Sequence, residues 1–492
     1  MTPLSISRII TLQAERDPDR PSITCEGRSV TRSELDRRTN RLARAYEKLG
    51  VGQDDFVTIA LPNGIEFFEA SIAAWKLGAT PQPVSSRLPK AELDAIIALA
   101  EPRLVVGAPA GTAVPGAAVP AGFEPDPALS DALLPDRTAA SWKAPTSGGS
   151  TGRPKLIVSG DPGAFDLDVP GYQMLPDRAQ LVPGPLYHNA PFAFSAIGLF
   201  LGNHIVVMPR FDAARTLALI AAYRIDWVMM VPTMMLRIWR LDPAERERHD
   251  LSALRVLGHV AAPCPPWLKR SFIDWLGPMR VHEIYGGTEG QGATWIVGDE
   301  WLAHPGSVGK PLPGFNMKIL DDAGRELPPG EIGEVYMLPD RGVGTTYRYI
   351  GAEPRRLDDG WETLGDMGYL DADGYLYLTD RRADMILRGG ANIYPAEVEA
   401  AIDAHPAVRS SAVIGLPDEE LGNRIHALVD ATTAVSAEEL AAFLGQRLVS
   451  YKIPESFEFV SEPLRDDAGK TRRSALRAAR LAQAGKVPAD AG

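Results

Sequence analysis

The chain has 492 residues, 45% of them apolar and 23% charged, with a net charge of −12. That is the make-up of a globular protein with ample core, and it excludes a disordered or fibrous chain. The acidic balance, with no Lys/Arg-rich run, argues against a nucleic-acid binder, and two cysteines, Cys25 and Cys264, build neither a disulfide framework nor a zinc cluster.

No apolar run approaches the roughly 18 residues of a bilayer span. The start of the chain lacks the basic and apolar stretches of a signal peptide, so a cytoplasmic protein without membrane insertion is expected. At about 100–200 residues per domain the length suggests three folding units, or one large and one small.

Residues 33–49 read as a helix, with Leu35, Leu42, Tyr46 and Leu49 on one stripe and Gly50 as the stop. Phe56–Leu61 then reads as a short buried strand and Pro62-Asn63-Gly64 as a turn, with a second helix over 67–77 ending at Gly78. Helices alternating with short apolar runs predict an α/β sheet with covering helices. The Ala/Pro/Gly-rich stretch 107–122 reads as a surface loop. After Asp380 a charged, glycine-containing segment leads into helix, strand and helix over 395–404, 412–416 and 436–448, the last opened by a Ser436/Glu439 capping box. A domain boundary is expected near 382–384, and the last ten residues read as frayed.

Five segments carry chemistry. Ser147-Gly-Gly-Ser-Thr-Gly-Arg-Pro-Lys155 has the glycines, hydroxyls and lysine that cradle a phosphate. Alone it reads as a linker, and it is no Walker loop because Lys155 follows a proline. Tyr285-Gly-Gly-Thr-Glu289 offers a ring to stack on a purine, a hydroxyl for a phosphate and a carboxylate for Mg²⁺. Alone it reads as a hairpin turn. Trp361-Glu-Thr-Leu-Gly-Asp366 places a carboxylate after a tight turn, suited to a ribose diol. The run from Asp380 to Glu399 and the pair Gly469-Lys470 complete the set.

In this order, and with Pro185-Leu-Tyr-His188, Gly306-Ser-Val-Gly-Lys-Pro311, Pro329-Gly-Glu-Ile-Gly-Glu334 and Tyr451-Lys-Ile-Pro454, the motifs resemble the adenylate-forming superfamily of acyl- and aryl-CoA ligases, luciferases and non-ribosomal adenylation domains. The resemblance spans nearly the whole chain. It implies a large N-terminal domain (1–382) of β-sheets with covering helices, and a small mobile α+β domain (383–492) carrying a catalytic lysine. The implied activity is AMP-forming acyl-CoA ligation, with ATP, Mg²⁺ and coenzyme A. A bulky hydrophobic carboxylic acid is the implied substrate, argued from the room that Gly286, Gly287, Gly290 and Gly292 leave. A homodimer is common in such a family.

The resemblance assigns roles by position. Ser150, Thr151, Gly152 and Lys155 match the phosphate loop. Tyr285 matches the adenine-stacking position, beside Val260, Ala261 and Ala262, and Glu283 falls in the nucleotide set. Thr288 matches the α-phosphate contact and Glu289 the magnesium ligand. Asp366 and Arg381 match the ribose clamps, and Lys470 the lysine that bridges carboxylate and α-phosphate. His188 matches a gate between acid pocket and thiol channel. Phe192, Phe194, His259, Gly286 and Gly287 are candidates for the acyl pocket, Arg388, Gly389 and Gly390 for coenzyme A, and Ala383 for the hinge.

Four positions depart from the pattern: Gly148 replaces a hydroxyl residue in the phosphate loop, Leu364 a threonine in the ribose motif, Ala383 the usual hinge Asp or Lys, and Ala391 a glutamate. Gly148 and Leu364 open an alternative, a ligase impaired in adenylation that thioesterifies a preformed acyl-adenylate. A non-catalytic acyl-adenylate-binding protein is a third reading, and retention of Glu289 and Lys470 argues against it. An amino-acid adenylation domain is disfavoured, because residues 189–195 hold no acid for an ammonium group.

Overall fold

The computed structural model describes residues 3–109, 111–148, 154–169, 171–382, 384–388, 391–418, 421–466 and 469–484. Near the N-terminus, Thr31 caps the helix Arg32–Lys48 in a reciprocal capping box with Glu34. That helix packs on a second one, α1 (Ile65–Lys76), in which every residue but Glu66 is buried. Strand β1 (Pro154–Ser159) follows the expected phosphate loop.

The central sheet is then laid down by β2 (Ala179–Val182), helix α2 (Asn189–Phe200), β3 (His204–Val207), β4 (Trp227–Met230), helix α3 (Pro232–Trp239), β5 (Val256–His259), helix α4 (Pro266–Leu276), β6 (Val281–Gly286) and β7 (Ala293–Val297). The strands run in the spatial order β6–β5–β4–β2–β3, all parallel, and β7 turns back antiparallel on β6. Short, continuous apolar runs such as Trp227-Val-Met-Met230 are what a parallel strand covered on both faces requires. Beyond β7 the same sheet continues through antiparallel strands that include β9 (Glu362–Leu370) and β10 (Leu376–Arg381). Between β7 and β9 in sequence, β8 (Tyr347–Ile350) stands outside this sheet and pairs antiparallel with β1 in a separate three-stranded sheet.

Side-chain alternation divides the parallel strands into two apolar faces. Trp227, Met229, Val256 and Ile284 pack with Phe194 of α2 on one. Val228, Met230, Leu257 and Val281 pack with Leu268, Phe272 and Ile273 of α4 on the other. Parallel strands also place their C-terminal ends at one edge, where the segments after β2, β4, β5 and β6 meet.

The C-terminal region has its own cores. One joins Ile386, Val398, Ile402, Val413, Ile425 and Leu440; another joins Ala412, Ile414, Leu428 and Leu464. None of the apolar clusters among the described residues draws on both Leu378 and earlier residues and Ile386 and later ones. Helix α5 (Pro395–Asp403) packs on a long hairpin, Val408–Asp418 with Gly422–Ala431, and the strand Ser456–Phe459 joins it in parallel.

The structure departs from the sequence expectations in two places. The stretch read as a loop over 107–122 contains a strand, Ala117–Val119, which extends a four-stranded parallel sheet and buries Val119. The single strand expected over 412–416 is half of the long hairpin, whose second strand, Arg424–His426 included, has too many polar residues at its start to stand out as an apolar run.

Candidate active site

The site gathers at the C-terminal edge of the parallel sheet. The turn after β5 begins at Val260, whose amide bonds the Met230 carbonyl at 3.1 Å, so the expected adenine segment is tied to the end of β4. Ala261 holds φ +77°, a left-handed conformation uncommon for a residue with a side chain and often found where function over-determines the backbone. Tyr285, near the end of β6, donates its hydroxyl to Asp366 Oδ2 at 2.8 Å. The expected adenine and ribose residues are therefore brought together across 81 positions of sequence. Asp366 and Arg381 are backbone partners on β9 and β10. Thr363, one place before the departure at Leu364, accepts the Gly365 amide at 2.9 Å and donates to Glu334 at 3.0 Å.

Glu289 follows the β6 turn and is buried, 7% exposed. Its Oε1 accepts from the Tyr349 hydroxyl at 2.6 Å and from Lys155 Nζ at 3.5 Å. The Lys155 ammonium also lies over the Tyr349 ring, 3.8 Å from its centre, a cation–π contact. Burial, and then the Glu289 charge, hold the Tyr349 phenol far above its ordinary range, so it stays protonated and donates. Behind it, Tyr347 donates to Glu362 at 2.8 Å. Among the described residues no cluster of three or more His, Cys, Asp or Glu forms a metal cage. A single buried carboxylate beside Lys155 is instead the donor set of Mg²⁺, which takes one or two carboxylates and completes its shell with water and substrate phosphates. Glu289 fits that ion, while Tyr285 with Asp366 fits a nucleoside.

Sequence reasoning missed Tyr349 and Lys143. Tyr349 lies in a stretch whose spacing gives no sign of a partner, and the β8–β1 pairing carries it to Glu289. Lys143 is buried and donates to Asn189 Oδ1, at the head of α2. Burial pulls its ammonium down to about 8, against the pull of Asp161 and Glu289. A lysine in an otherwise unremarkable Ser-Trp-Lys-Ala gives no signal in sequence.

His188 is the N-cap residue of α2, its ring 4.3 Å from that of Tyr187. Below it an apolar layer packs between α2 and the sheet, the place where a cleft for an acid would open. Phe194, Trp227, Met229 and Ile284 are buried there, while Tyr172, Ile197, Val260 and Trp295 stay half-buried.

Two expected pocket residues lie elsewhere. Phe192 is two places from Phe194, about 200° around the helix, so it faces away and packs between Phe67, Trp75 and Trp142 at 5.9–6.2 Å. His259 alternates with Val260 and points to the other face of the sheet. It is fully buried there, 3.7 Å from Glu283, and burial lowers it to about 4, so it is neutral. Glu283 shares that face and forms a buried pair with Lys269 of α4 at 2.6 Å. It supports β6 beneath Tyr285 instead of opening toward a ligand.

The glycines also serve a different purpose from that expected. A Cβ at Gly287 would stand 2.6 Å from Leu364 Cδ1 and 2.8 Å from Glu289 Oε2, and one at Gly292 would stand 2.6 Å from Met337 Sδ. Side chains of the protein thus already occupy the space beside Gly287 and Gly292, so these two of the four glycines leave no ready room for a bulky acid. Gly286 is exposed and Thr288 half-exposed at the same turn.

Gly469 (φ +75°) ends a tight turn in which Asp466 and Lys470 exchange hydrogen bonds, the Asp466 amide to the Lys470 carbonyl and the Lys470 amide to Asp466 Oδ1, both at 2.9 Å. A Cβ on Gly469 would lie 3.1 Å from Thr233 Oγ1 and 3.4 Å from Val231. The turn bearing Lys470 thus rests on the junction of β4 and α3, next to Val260. Arg240 of the large domain bonds the Arg409 carbonyl at 3.0 Å, and that of Val408, on the small one. Arg388 is committed to Glu455 and the Tyr451 carbonyl. Ser150, Thr151, Gly152, Ala383, Gly389 and Gly390 lie outside the described residues, as does the side chain of Arg381.

The family model described as AMP-binding enzyme matches residues 10–348, and its companion, AMP-binding enzyme C-terminal domain, matches 397–470. The chain belongs to the AMP-binding enzyme family. It is 32% identical to a feruloyl-CoA synthase of Amycolatopsis sp. over 94% of this chain and 97% of that one. It is 30% identical to a fatty acid–[acyl-carrier-protein] ligase of Streptomyces coeruleorubidus, covering 95% of each. Among solved structures it is similar to the o-succinylbenzoate CoA synthetase of Bacillus subtilis in complex with its acyl-adenylate intermediate, with a TM-score of 0.84, 25% identity and coverage of 97% and 99%. The same synthetase is also known in complex with ATP and magnesium ion, at a TM-score of 0.82, 25% identity and coverage of 95% and 98%. The AMP-binding enzyme described here is accordingly an acid–thiol ligase of the acyl-CoA and aryl-CoA ligase kind, in an adenylate-forming fold with a large β-rich domain and a smaller C-terminal domain.

Proposed function

We propose that this enzyme activates an apolar, aromatic carboxylic acid as its acyl-adenylate and passes the acyl group to coenzyme A. The observation that carries the reading is the convergence of Tyr285–Asp366, Lys155–Glu289 and the Lys470 turn on one sheet edge, directly above the cleft lined by Phe194, Trp227 and Ile284. The complex of the Bacillus synthetase with ATP and magnesium supports ATP and Mg²⁺ as cofactors.

In this reading Tyr285 and the 260–263 segment hold adenine, and Asp366 with Arg381 holds the ribose. Bound at Glu289, Mg²⁺ would neutralise charge on the phosphates. Lys155 would face the outer phosphates, and Ser150, Thr151 and Gly152 are the positions that match the phosphate loop. Lys470, carried in by the docked turn, offsets the charge that gathers between the attacking carboxylate and the α-phosphate. Fixing acid and nucleotide in line is the larger part of the task. The small domain, from about residue 383, then turns about the Ala383 hinge to withdraw Lys470 and open a thiol channel past His188. Arg388, Gly389 and Gly390 lie on that small domain, where they would meet coenzyme A. The aromatic walls of the cleft support a flat acid over a bulky alicyclic one.

The test is ATP–pyrophosphate exchange over a panel of acids, with thioester formation from a preformed acyl-adenylate measured beside it. Exchange with an aromatic acid, abolished in Lys470→Ala while thioesterification of the adenylate persists, is the expected result. Thioesterification without exchange by any acid would replace this reading with that of a ligase fed by an adenylate made elsewhere.

A further inference from the structure

The aromatic layer under α2 ends in two polar atoms that have no partner among the described residues. His282 and Ile284 share a face of β6, and Trp295 is the register partner of Ile284 on β7, so all three look onto the same side of the sheet as Phe194 and Trp227. The rings run in series: Phe194 to Tyr172 at 5.0 Å, Tyr172 to Trp295 at 6.0 Å, and Trp295 to His282 at 5.2 Å.

His282 is 1% exposed, and its Nε2 lies 3.1 Å from the Met279 carbonyl. A carbonyl only accepts, so Nε2 carries the hydrogen and Nδ1 is left as a bare acceptor. Nδ1 is buried and has no partner among the described residues, and the Trp295 Nε1–H is likewise buried without an acceptor among them. Burial lowers the His282 imidazole to about 4, which keeps the acceptor available at neutral pH. What sets this pair apart is that the donor and the acceptor stand on rings 5.2 Å apart at the end of one aromatic series. A hydroxyl answers both, because it donates through its hydrogen and accepts through its oxygen.

We infer that Trp295 and His282 form a recognition site for a hydroxyl group at the far end of the acid. The inference rests on the ligase reading and deepens it by naming the substrate class, a hydroxyaryl carboxylic acid. Length supports the class. From Gly286, at the turn where the carboxylate is activated, to His282 is four residues of strand, or about 13 Å at ~3.3 Å per residue. One aromatic ring on a two-carbon linker, with a hydrogen bond at its far end, spans that distance. The neighbouring rings of Tyr172 and Phe194 suit a flat aromatic body and offer a saturated chain no particular partner.

Two acids that differ by one group test this: 3-(4-hydroxyphenyl)propenoate and 3-phenylpropenoate, each assayed for pyrophosphate exchange and for CoA thioester formation. A site built to bond a hydroxyl discriminates strongly against the analogue without it. The wild-type enzyme should favour the hydroxy acid in kcat/KM by about tenfold or more, the value of one well-made hydrogen bond. Trp295→Phe keeps an aromatic ring and removes the N–H, and should cut that ratio several-fold, leaving the bond to His282 Nδ1. A wild-type enzyme indifferent to the hydroxyl, or a preference undiminished in Trp295→Phe, overturns the inference and leaves the ligase reading standing. Exchange with neither these acids nor any other in the panel removes both.

Discussion

The two faces of β4, β5 and β6 are built from neighbouring residues of the same strands and do opposite things. One face is apolar and aromatic, partly open, and ends in the orphaned atoms of His282 and Trp295. The other is closed by α4 and holds a charged pair, Lys269–Glu283, with His259 beside it. The difference teaches that in a parallel sheet a ligand-binding face and a bracing face alternate residue by residue. A motif read as a block is therefore split between a ligand and the scaffold under it.

The strongest way to break the comparison is to disturb the bracing face alone. Lys269 is 1% exposed, and its removal leaves the Glu283 carboxylate buried without its partner. Lys269→Met should destabilise the large domain by about 3–5 kcal/mol, read as a lowered denaturant midpoint with an unchanged m-value. Lys269→Met with Glu283→Gln removes both charges and should recover most of the loss. A single variant as stable as the wild type would show that α4 is not held to β6 by this pair.

Much of the site was legible because its residues sit in short turns with glycine, hydroxyl and carboxylate at fixed offsets. Tyr285, Glu289, Asp366 and Lys470 are of that kind. What sequence spacing could not resolve was the face each residue takes. Val260 and His259 are adjacent, so one looks into the cleft and the other away from it. Phe192 and Phe194 are two apart on a helix, and the motif gave both to the pocket. Tyr349 was out of reach for another reason, since β8 meets β1 across nearly two hundred residues of sequence and no local pattern reports such a pairing; Lys143 reaches Asn189 across 46 residues, with no motif around it.

The Phe192/Phe194 pair sharpens the same contrast on α2. Phe192 lies among three aromatic side chains and is 1% exposed, so Phe192→Ala should lower stability by about 3–5 kcal/mol and leave the ranking of acid substrates as it was. Phe194 touches Tyr172 and Trp227 over the cleft. Phe194→Ala should reorder the acids, shifting relative kcat/KM between a one-ring and a two-ring acid by about tenfold. Thermal unfolding and a substrate panel on the two variants separate the outcomes. A reordered panel in Phe192→Ala, with none in Phe194→Ala, would move the cleft to the opposite side of α2.

The smallest expected effect tests whether the comparison extends to Glu289, which has a ligand-facing role and a bracing partner at once. Its Oε1 is held by the Tyr349 hydroxyl at 2.6 Å, and the Tyr349 ring carries the Lys155 ammonium. Tyr349→Phe keeps that ring and removes only the hydrogen bond, which to a charged acceptor contributes about 1.5–3 kcal/mol. Were the whole of that felt where magnesium binds, the Mg²⁺ concentration giving half-maximal pyrophosphate exchange would rise about tenfold or more, with KM for the acid unmoved. Because the hydroxyl also occupies a lone pair that the ion could use, part of the loss is returned on binding, and a rise of a few-fold is the expected outcome. A fall in the Mg²⁺ requirement would mean that Tyr349 competes with the metal for Glu289 and does not hold the carboxylate ready for it.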